Sequence, residues 1–402
     1  MVREMEKDVV VIGGGPAGSS VAREAAKNGS EVLLLEKNNF IGEPVQCAGL
    51  LSKRAIDFSK IDRIRDIAIN SYRGAIFHPP NEDPIKIKAD EKKAFTVDRS
   101  IFDRKLVEDA IKEGAEFRVN SSAKKWDGKK LTIRHNGKSK KIEPSVLVSA
   151  EGIQRKIAKQ AGLKGIKTYL SGVQTTLTNL RLKEEDLNYV ELFLGENIAP
   201  GFFAWAIPLT QNKARVGLCV KMGEGSAFDY LKSFVKTNPV IKDKYNGKPI
   251  KFNFGCIPLG LLDKTVLNNL LVVGDAAGQV KPTSGGGVYP SLVCGKIAGE
   301  VASRNITNNL DLEVYEERWR EKIGKELEIG WKLNKLFFGL QDKKYDRIFD
   351  KINDPEVIKT IEDYGDIDYP SKLFFKLLKN KPSLIKTIGS TYIKQSLKNL
   401  FT

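Results

Sequence analysis

The sequence predicts an α/β chain, α+β overall, in which a domain built on a parallel sheet is interrupted by an antiparallel sheet and followed by C-terminal helices. Three observations carry this. A strand, glycine turn, helix and second strand open the chain at residues 8–36. Alternating apolar and polar positions fill residues 170–262. A buried-strand run then returns at Asn269–Gly278, so the first domain is discontinuous. The expected divisions are 1–169 and 263–320 for the two parts of the nucleotide-binding domain, 170–262 for the inserted sheet, and 321–402 for the helical region.

Each element follows from local pattern. Asp8–Ile12 is a short apolar run leading straight into glycines, as a buried strand does and a membrane span or signal peptide does not. Gly13–Gly18 is the turn, Ser19–Asn28 has helix-forming composition and stops near Gly29, and Val32–Leu35 is a second strand ending in Glu36. Residues 37–53 form a loop with Gly42, Pro44 and Gly49. Residues 98–113 place Phe102, Leu106, Val107 and Ala110 on one helical face. Residues 118–150 form a β-meander with hairpin turns at Asp127-Gly128 and Asn136-Gly137. Val190–Leu194, Phe202–Ile207, Ala214–Val220 and Ile250–Phe254 alternate as antiparallel strands with one covered face. A helix is expected from Tyr289 to about Arg304, with helices and connectors after about 311.

The 402 residues are 41% hydrophobic and 29% charged, a globular composition that excludes a disordered or fibrous chain. Four scattered cysteines form neither a disulfide framework nor a zinc spacing, and two histidines argue against a His-rich metal site, so no metal is expected. A reducing, cytoplasmic location follows. Sixty-six basic against 50 acidic residues give a net charge of +16, which points to an acidic partner or an anionic surface.

Gly13-Gly-Gly-Pro-Ala-Gly18 fits G-x-G-x-x-G in its proper setting, after a strand and opening a helix. Gly13 permits the tight turn, Gly15 lets backbone approach a pyrophosphate, and Gly18 allows close helix–strand packing, with Ala17 beside them in the same turn. Glu36, 18 residues past Gly18, is placed to accept from ribose hydroxyls and disfavours a 2′-phosphate. Gly274-Asp-Ala-Ala-Gly278 is a second turn whose Asp275 can hold a ribose or ribityl hydroxyl.

The two glycine motifs, about 260 residues apart, together resemble the FAD-binding flavoproteins of the p-hydroxybenzoate hydroxylase-like fold. That resemblance implies FAD, with Asp275 at its ribityl chain. It implies a flavin-covering turn at Pro282–Val288, in which Gly286, Gly287 and Val288 lie over the ring. Asp98–Arg104 matches the same group's helix start, with Arg99 expected at the cofactor. Within that fold the chain resembles the geranylgeranyl reductase family, as far as about residue 340. Gly42–Leu50 looks like the family's cysteine loop, putting Cys47, Ala48 and Gly49 along the ring. Pro200–Pro208 resembles its substrate-cavity signature, with Phe203 where Tyr is usual and Ile207 where Phe is usual. The resemblance implies reduction of isolated C=C bonds in isoprenoid chains, among them archaeal membrane lipids of the digeranylgeranylglycerophospholipid type. Phe202, Phe203, Trp205 and Pro208 would then bind substrate, or form an ordinary strand core. Cys47 is the first candidate proton donor, directly or through water, against its alternative as a small buried hydrophobe, and Tyr289 is the second. With no second nucleotide fingerprint, ferredoxin or a diffusible reductant is the implied electron source.

Flavin halogenases share the fold and a Trp-x-Trp-x-Ile-Pro motif that Phe203–Pro208 matches except at its first Trp, and aromatic monooxygenases share the fold as well. In the latter, a D-G-x-x-S-x-x-R-type motif is expected, and here Arg155 holds the Ser position. A basic binding protein that merely keeps the fold is the third class. The charge itself is local. Residues 371–402 hold seven lysines and no acid, and residues 124–141 hold eight basic residues against Asp127 alone. The first cluster, amphipathic with Leu373, Phe374, Leu377 and Ile388, fits either an anionic inner-membrane face or a helix packed on the body. The second fits a solvated, protected β edge or an acidic electron-carrier dock. Neither lies in a nucleic-acid-binding motif, so no nucleic acid is expected.

Overall fold

The computed structural model describes residues 5–81 and 83–381. It is a mixed α/β structure with three sheets and a C-terminal group of helices. In the first sheet the strands Leu270–Val272, Lys138–Ser149, Met5–Ile12, Val32–Leu35 and Glu116–Arg118 lie side by side and parallel. Val9 is flanked by Val32 on one side and Val146 on the other, so the central strand is paired along both edges. Its residues alternate between two cores. Val9 and Val11 pack under the helices Pro16–Lys27 and Val288–Asn308, while Val10 and Ile12 pack under the meander residues Leu131, Ile133 and Ile142. The two helices touch closely because Gly295 and Gly299 have no side chain. A Cβ at either would stand 2.6 or 2.5 Å from the carbonyl of Ala17 or Val21.

The second sheet has seven strands in the order Lys248–Leu259, Thr168–Thr178, Lys213–Lys221, Ala204–Thr210, Tyr189–Phe193, Gly74–His78, Ile85–Lys88. It is wider than the alternating stretch around 170–262, because Gly74–His78 joins it in parallel with Tyr189–Phe193, a partner more than 100 residues away. Phe202 and Phe203 precede their strand, which begins at Ala204. One face is covered by helices Ala227–Thr237 and Pro239–Lys244, through Val173, Val216, Leu231 and Phe234. The other face looks toward the cysteine loop. A small third sheet pairs Ala94–Val97 with Leu50–Ser52 on one side and Ala68–Tyr72 on the other.

The helix after the glycine-rich turn runs Val288–Asn308, longer than its sequence pattern indicates. Asp98 caps Arg99–Lys112 by accepting from the Ser100 and Ile101 amides. In the basic C-terminal stretch, helix Pro370–Asn380 is tied to the body. The Ser371 amide donates to Glu326 at 2.9 Å, and Lys381 pairs with Asp354 and Glu356 at 3.0 Å each. Lys386, Lys394 and Lys398 lie outside the described residues. Among the described residues no helix is long and apolar enough to cross a membrane, and no group of His, Cys, Asp and Glu could hold a metal ion.

A buried charge cluster ties the helix-covered face together. Glu191, 2% exposed, accepts from His78, Lys244 and the Tyr245 hydroxyl, each at 2.7 Å. Burial alone would raise its carboxyl; the three donors outweigh it and hold the group at about 2. Such a depressed carboxylate stabilises the fold above its ordinary value and loses that contribution as pH falls through the folded value. The group should therefore contribute about 3 kcal/mol that disappears between its ordinary value of 4.5 and about 2. Urea titrations across that window should show the wild type losing more stability than Glu191→Gln.

Candidate functional site

The first glycine turn is locked by contacts that leave no room for side chains except at one position. A Cβ on Gly18 would lie 1.8 Å from the Gly13 carbonyl, and one on Gly13 (φ +107°) would lie 2.3 Å from the Ala150 carbonyl. A Cβ on Gly15 would meet nothing within 4 Å, so the backbone there faces open space at the start of the helix. Glu36 stands beside it. One carboxylate oxygen accepts from the Gly14 amide at 3.0 Å and the other from the Asn38 amide at 2.9 Å, so the carboxylate is fixed with a lone pair left on each oxygen.

Asp275 follows the strand that returns from the inserted sheet. Its carboxylate takes no hydrogen bond from the protein among the described residues. Burial pushes its pKa up, against the attraction of Arg99. A Cβ on Gly287 would stand 2.6 Å from its Oδ1, so the glycine-rich turn is built to pass close over this acid. Arg99 is held by a bidentate pair with Asp103, 3.0 Å on both arms. Burial opposes its charge, but Asp103 and the neighbouring Cys47 side chain together hold its pKa above the usual guanidinium range. Arg99 thus acts electrostatically on both Asp275, in the second glycine motif, and Cys47, in the cysteine loop.

That loop is clamped from the second sheet by side chains on three adjacent strands. Asn253 donates to the Val45 carbonyl, Gln174 to the Cys47 carbonyl at 3.0 Å, and Arg215 to the Ala48 carbonyl. Asn253 and Gln174 are directly opposed across the strands, and the same row continues through Gly217 to Trp205. Residues in one such row share a face. Gly217 is the gap in it, since a Cβ there would meet Gln174 Cβ at 2.5 Å and the Trp205 ring at 2.8 Å. Burial lowers the Arg215 pKa, while Cys47, Tyr72 and Asp98 favour its charge. Cys47 therefore lies in the field of two guanidiniums, and its Sγ accepts from the Gly49 amide at 3.3 Å.

The aromatic residues expected near substrate do come together. The Phe202 and Phe203 rings stack at 4.3 Å, Phe203 meets Trp205 edge-on at 6.1 Å, and Phe338 from the C-terminal helices completes the group at 4.9 Å from Phe202. The glycine-rich turn reaches them directly: a Cβ on Gly285 would lie 3.6 Å from the Phe202 ring. Trp205 Nε1 is buried with no hydrogen-bond partner. Pro208 is set apart. It is buried, and its carbonyl accepts from the Tyr72 hydroxyl at 2.6 Å and the Asn70 amide at 3.0 Å. Tyr289 is also turned elsewhere, its hydroxyl 3.1 Å from that of Tyr369 and its ring edge-on to Phe58. Gln174, Arg215, Asn253 and Phe338 carry no local motif and escape a reading of the sequence alone.

The sequence profile of the geranylgeranyl reductase catalytic domain matches residues 169–257, and that of pyridine nucleotide-disulphide oxidoreductases matches residues 7–190. The digeranylgeranylglycerophospholipid reductase of Methanocaldococcus jannaschii is 35% identical, covering 94% of this chain and 96% of its own. The chain belongs to the geranylgeranyl reductase family. An uncharacterised protein of the same organism is also 35% identical, over 93% and 95% of the two chains. The digeranylgeranylglycerophospholipid reductase of Methanococcus vannielii is 34% identical, over 95% and 97%. Among solved structures, a geranylgeranyl bacteriochlorophyll reductase-like protein of Thermoplasma acidophilum superposes with a TM-score of 0.85 at 26% identity, over 99% and 100% of the chains. A flavin-dependent brominase superposes at 0.71 with 16% identity, over 94% and 100%, which is a likeness of fold alone. The chain is an FAD-dependent oxidoreductase.

The geranylgeranyl reductase glycine-rich turn is backed by a buried ion pair. Lys281 and Asp368 meet at 2.7 Å with side chains 7% and 2% exposed. A Cβ on Gly286 would come within 2.8 Å of Lys281 Cε, so the lysine stem fills the underside of the turn. Asp368 belongs to a C-terminal segment that Arg54 also grips, through Asp366 at 2.7 Å and over the Tyr369 ring at 4.6 Å. Removing one partner of a buried pair leaves an uncompensated charge and costs about 3–5 kcal/mol, whereas replacing both with apolar groups does not. Asp368→Asn should lower the thermal midpoint markedly, and Lys281→Met with Asp368→Leu should recover much of the loss; unfolding curves of both variants check this.

Proposed function

We propose that this chain reduces the isolated C=C bonds of geranylgeranyl chains on archaeal-type membrane lipids. The observation that carries the proposal is the meeting of three stretches. The glycine-rich turn touches Phe202, the Cys47 loop is clamped to the strand row that holds Trp205, and Arg99 acts electrostatically on both Cys47 and Asp275. The names and lengths of the relatives support it.

The residues fit FAD. Gly13, Gly15, Ala17 and Gly18 would hold the pyrophosphate at the open backbone of Gly15, and the free lone pairs of Glu36 would take the ribose hydroxyls. Asp275, without a protein hydrogen-bond partner among the described residues, would take a ribityl hydroxyl, with Arg99 favouring its charged form against burial. Cys47, Ala48 and Gly49 would lie along one side of the ring, and Gly286, Gly287 and Val288 along the other. When bound and reduced, FAD supplies the hydride.

An unconjugated alkene offers no carbonyl to polarise, so the protein must act by position and by exclusion of water. Phe202, Phe203, Trp205 and Phe338 would hold the chain in apolar contact. Reduction then needs one proton at the alkene carbon opposite the hydride. Cys47 Sγ, on a loop whose carbonyls are fixed from three strands, is the group proposed to deliver it, and solvent returns the proton to the thiol. Tyr289, occupied with Tyr369, is proposed to position the C-terminal segment rather than to donate. The substrate lives in a bilayer, so peripheral membrane contact belongs to the proposal, with ferredoxin or a diffusible reductant as electron source.

The test is anaerobic. Chemically reduced protein is mixed with a geranylgeranyl phospholipid, and flavin reoxidation is followed with mass analysis of the lipid. Reoxidation with a gain of two hydrogens per bond is expected. No reoxidation by the lipid, with halide or an aromatic substrate consumed once oxygen is admitted to the same preparation, would refute the proposal. Cys47→Ala should keep FAD and slow reoxidation by lipid about 100-fold; an unchanged rate would remove Cys47 from its role.

A further inference from the structure

An apolar patch with a basic border lies on the outer edge of the second sheet. The edge strand Lys248–Leu259 exposes Phe252 (45%) and Phe254 (57%), with Ile250 (59%) at the strand's irregularity. Phe228, 44% exposed on the covering helix, meets both rings, at 5.9 Å to Phe252 and 6.3 Å to Phe254. Single exposed apolar residues are ordinary on a protein surface, but four grouped around one edge mark an interaction surface. Between residues 228 and 254 the chain holds six lysines against two aspartates. Lys232, Lys248 and Lys251 are exposed, and Lys232 follows Phe228 by one helical turn.

We infer that this patch docks the protein on an anionic bilayer, an assignment that rests on the lipid substrate proposed above. Three features favour a bilayer over a second protein strand. Pro249 removes a backbone donor from the edge, the register shifts beside it, and lysines stand at both ends of the shift; each disfavours strand pairing. Phenylalanines ringed by lysines match the boundary between acyl chains and anionic headgroups, where lysine stems lie along apolar surface and their ammonium groups reach outward. The patch is also joined to the site. Asn253, between the two phenylalanines, points to the opposite face and donates to the Val45 carbonyl of the Cys47 loop, and a Cβ on Gly255 would lie 3.0 Å from the Gln46 carbonyl. One strand thus carries the docking side chains on one face and holds the catalytic loop with the other.

The full chain is sedimented with phosphatidylcholine vesicles and with mixed phosphatidylcholine–phosphatidylglycerol vesicles, at low and high salt. The wild type should prefer the anionic vesicles. Phe252→Ser with Phe254→Ser should reduce that partition about tenfold or more. Lys248→Glu with Lys251→Glu should abolish the anionic preference and its salt dependence. Both variants should keep wild-type reoxidation by detergent-dispersed geranylgeranyl phospholipid. Wild-type vesicle binding in both variants would overturn the docking surface. So would light scattering in which the phenylalanine variant dissociates a self-associated wild type that does not bind vesicles. Failure of the detergent-dispersed lipid to reoxidise the wild type would overturn the substrate proposal instead, and the vesicle comparison would still decide the surface.

Discussion

Hydrogen bonds from Asn253, Gln174 and Arg215 to the carbonyls of Val45, Cys47 and Ala48 are the constraint on which the site depends. They come from three neighbouring strands of one sheet and end on a loop that belongs, by chain order, to the other. Each such bond adds about 1 kcal/mol, more for the charged guanidinium. Their larger effect is geometric. Three fixed points along four residues leave the loop little freedom, so the Cys47 side chain keeps its place relative to Trp205 and to the glycine turns. The absence of a side chain at Gly217 is part of the same arrangement, since it lets Gln174 and the Trp205 ring close up from either side.

Around this clamp the molecule uses charge sparingly and in pairs. Arg99 with Asp103, Lys281 with Asp368, and Glu191 with Lys244 and His78 are buried sets whose members satisfy one another. Asp275 is different. It is ionisable, raised by burial and without a hydrogen-bond partner among the described residues, which is the signature of a group that awaits a ligand. The Lys281 pair carries the constraint onward to the C-terminal segment, so the helices that close over the aromatic cluster are joined to the turn that passes over Asp275.

Much of this was legible in the chain because it is written in short stretches. Gly13–Gly18, Glu36, the Asp98 cap and Ser284–Gly287 are local patterns, and the physics that reads them is local too. The glycine turn, the Glu36 contacts beside it and the Asp98 cap form where those patterns place them. Gln174, Asn253 and Arg215 could not be found that way. They are ordinary strand residues whose importance arises only on pairing with a loop more than 100 positions away. The two strands at 74–88 carry no local signal for the same reason, and neither does the Asp366–Tyr369 segment under the turn. Pro208 and Tyr289 show the converse. Both belong to a motif or its border, yet the structure spends their polar groups on packing partners, Tyr72 and Tyr369.

The most direct measurement of the central claim isolates one bond of the clamp. Gln174→Leu keeps the volume of the side chain and removes its donor to the Cys47 carbonyl. Single-turnover reoxidation of the reduced flavin by geranylgeranyl phospholipid, compared with FAD affinity in the same protein, should show at least a tenfold slower reaction at unchanged affinity, because a small displacement of a reacting group is costly while the pyrophosphate cradle is untouched. Equal rates in Gln174→Leu and wild type would contradict the claim that the clamped loop sets the chemistry.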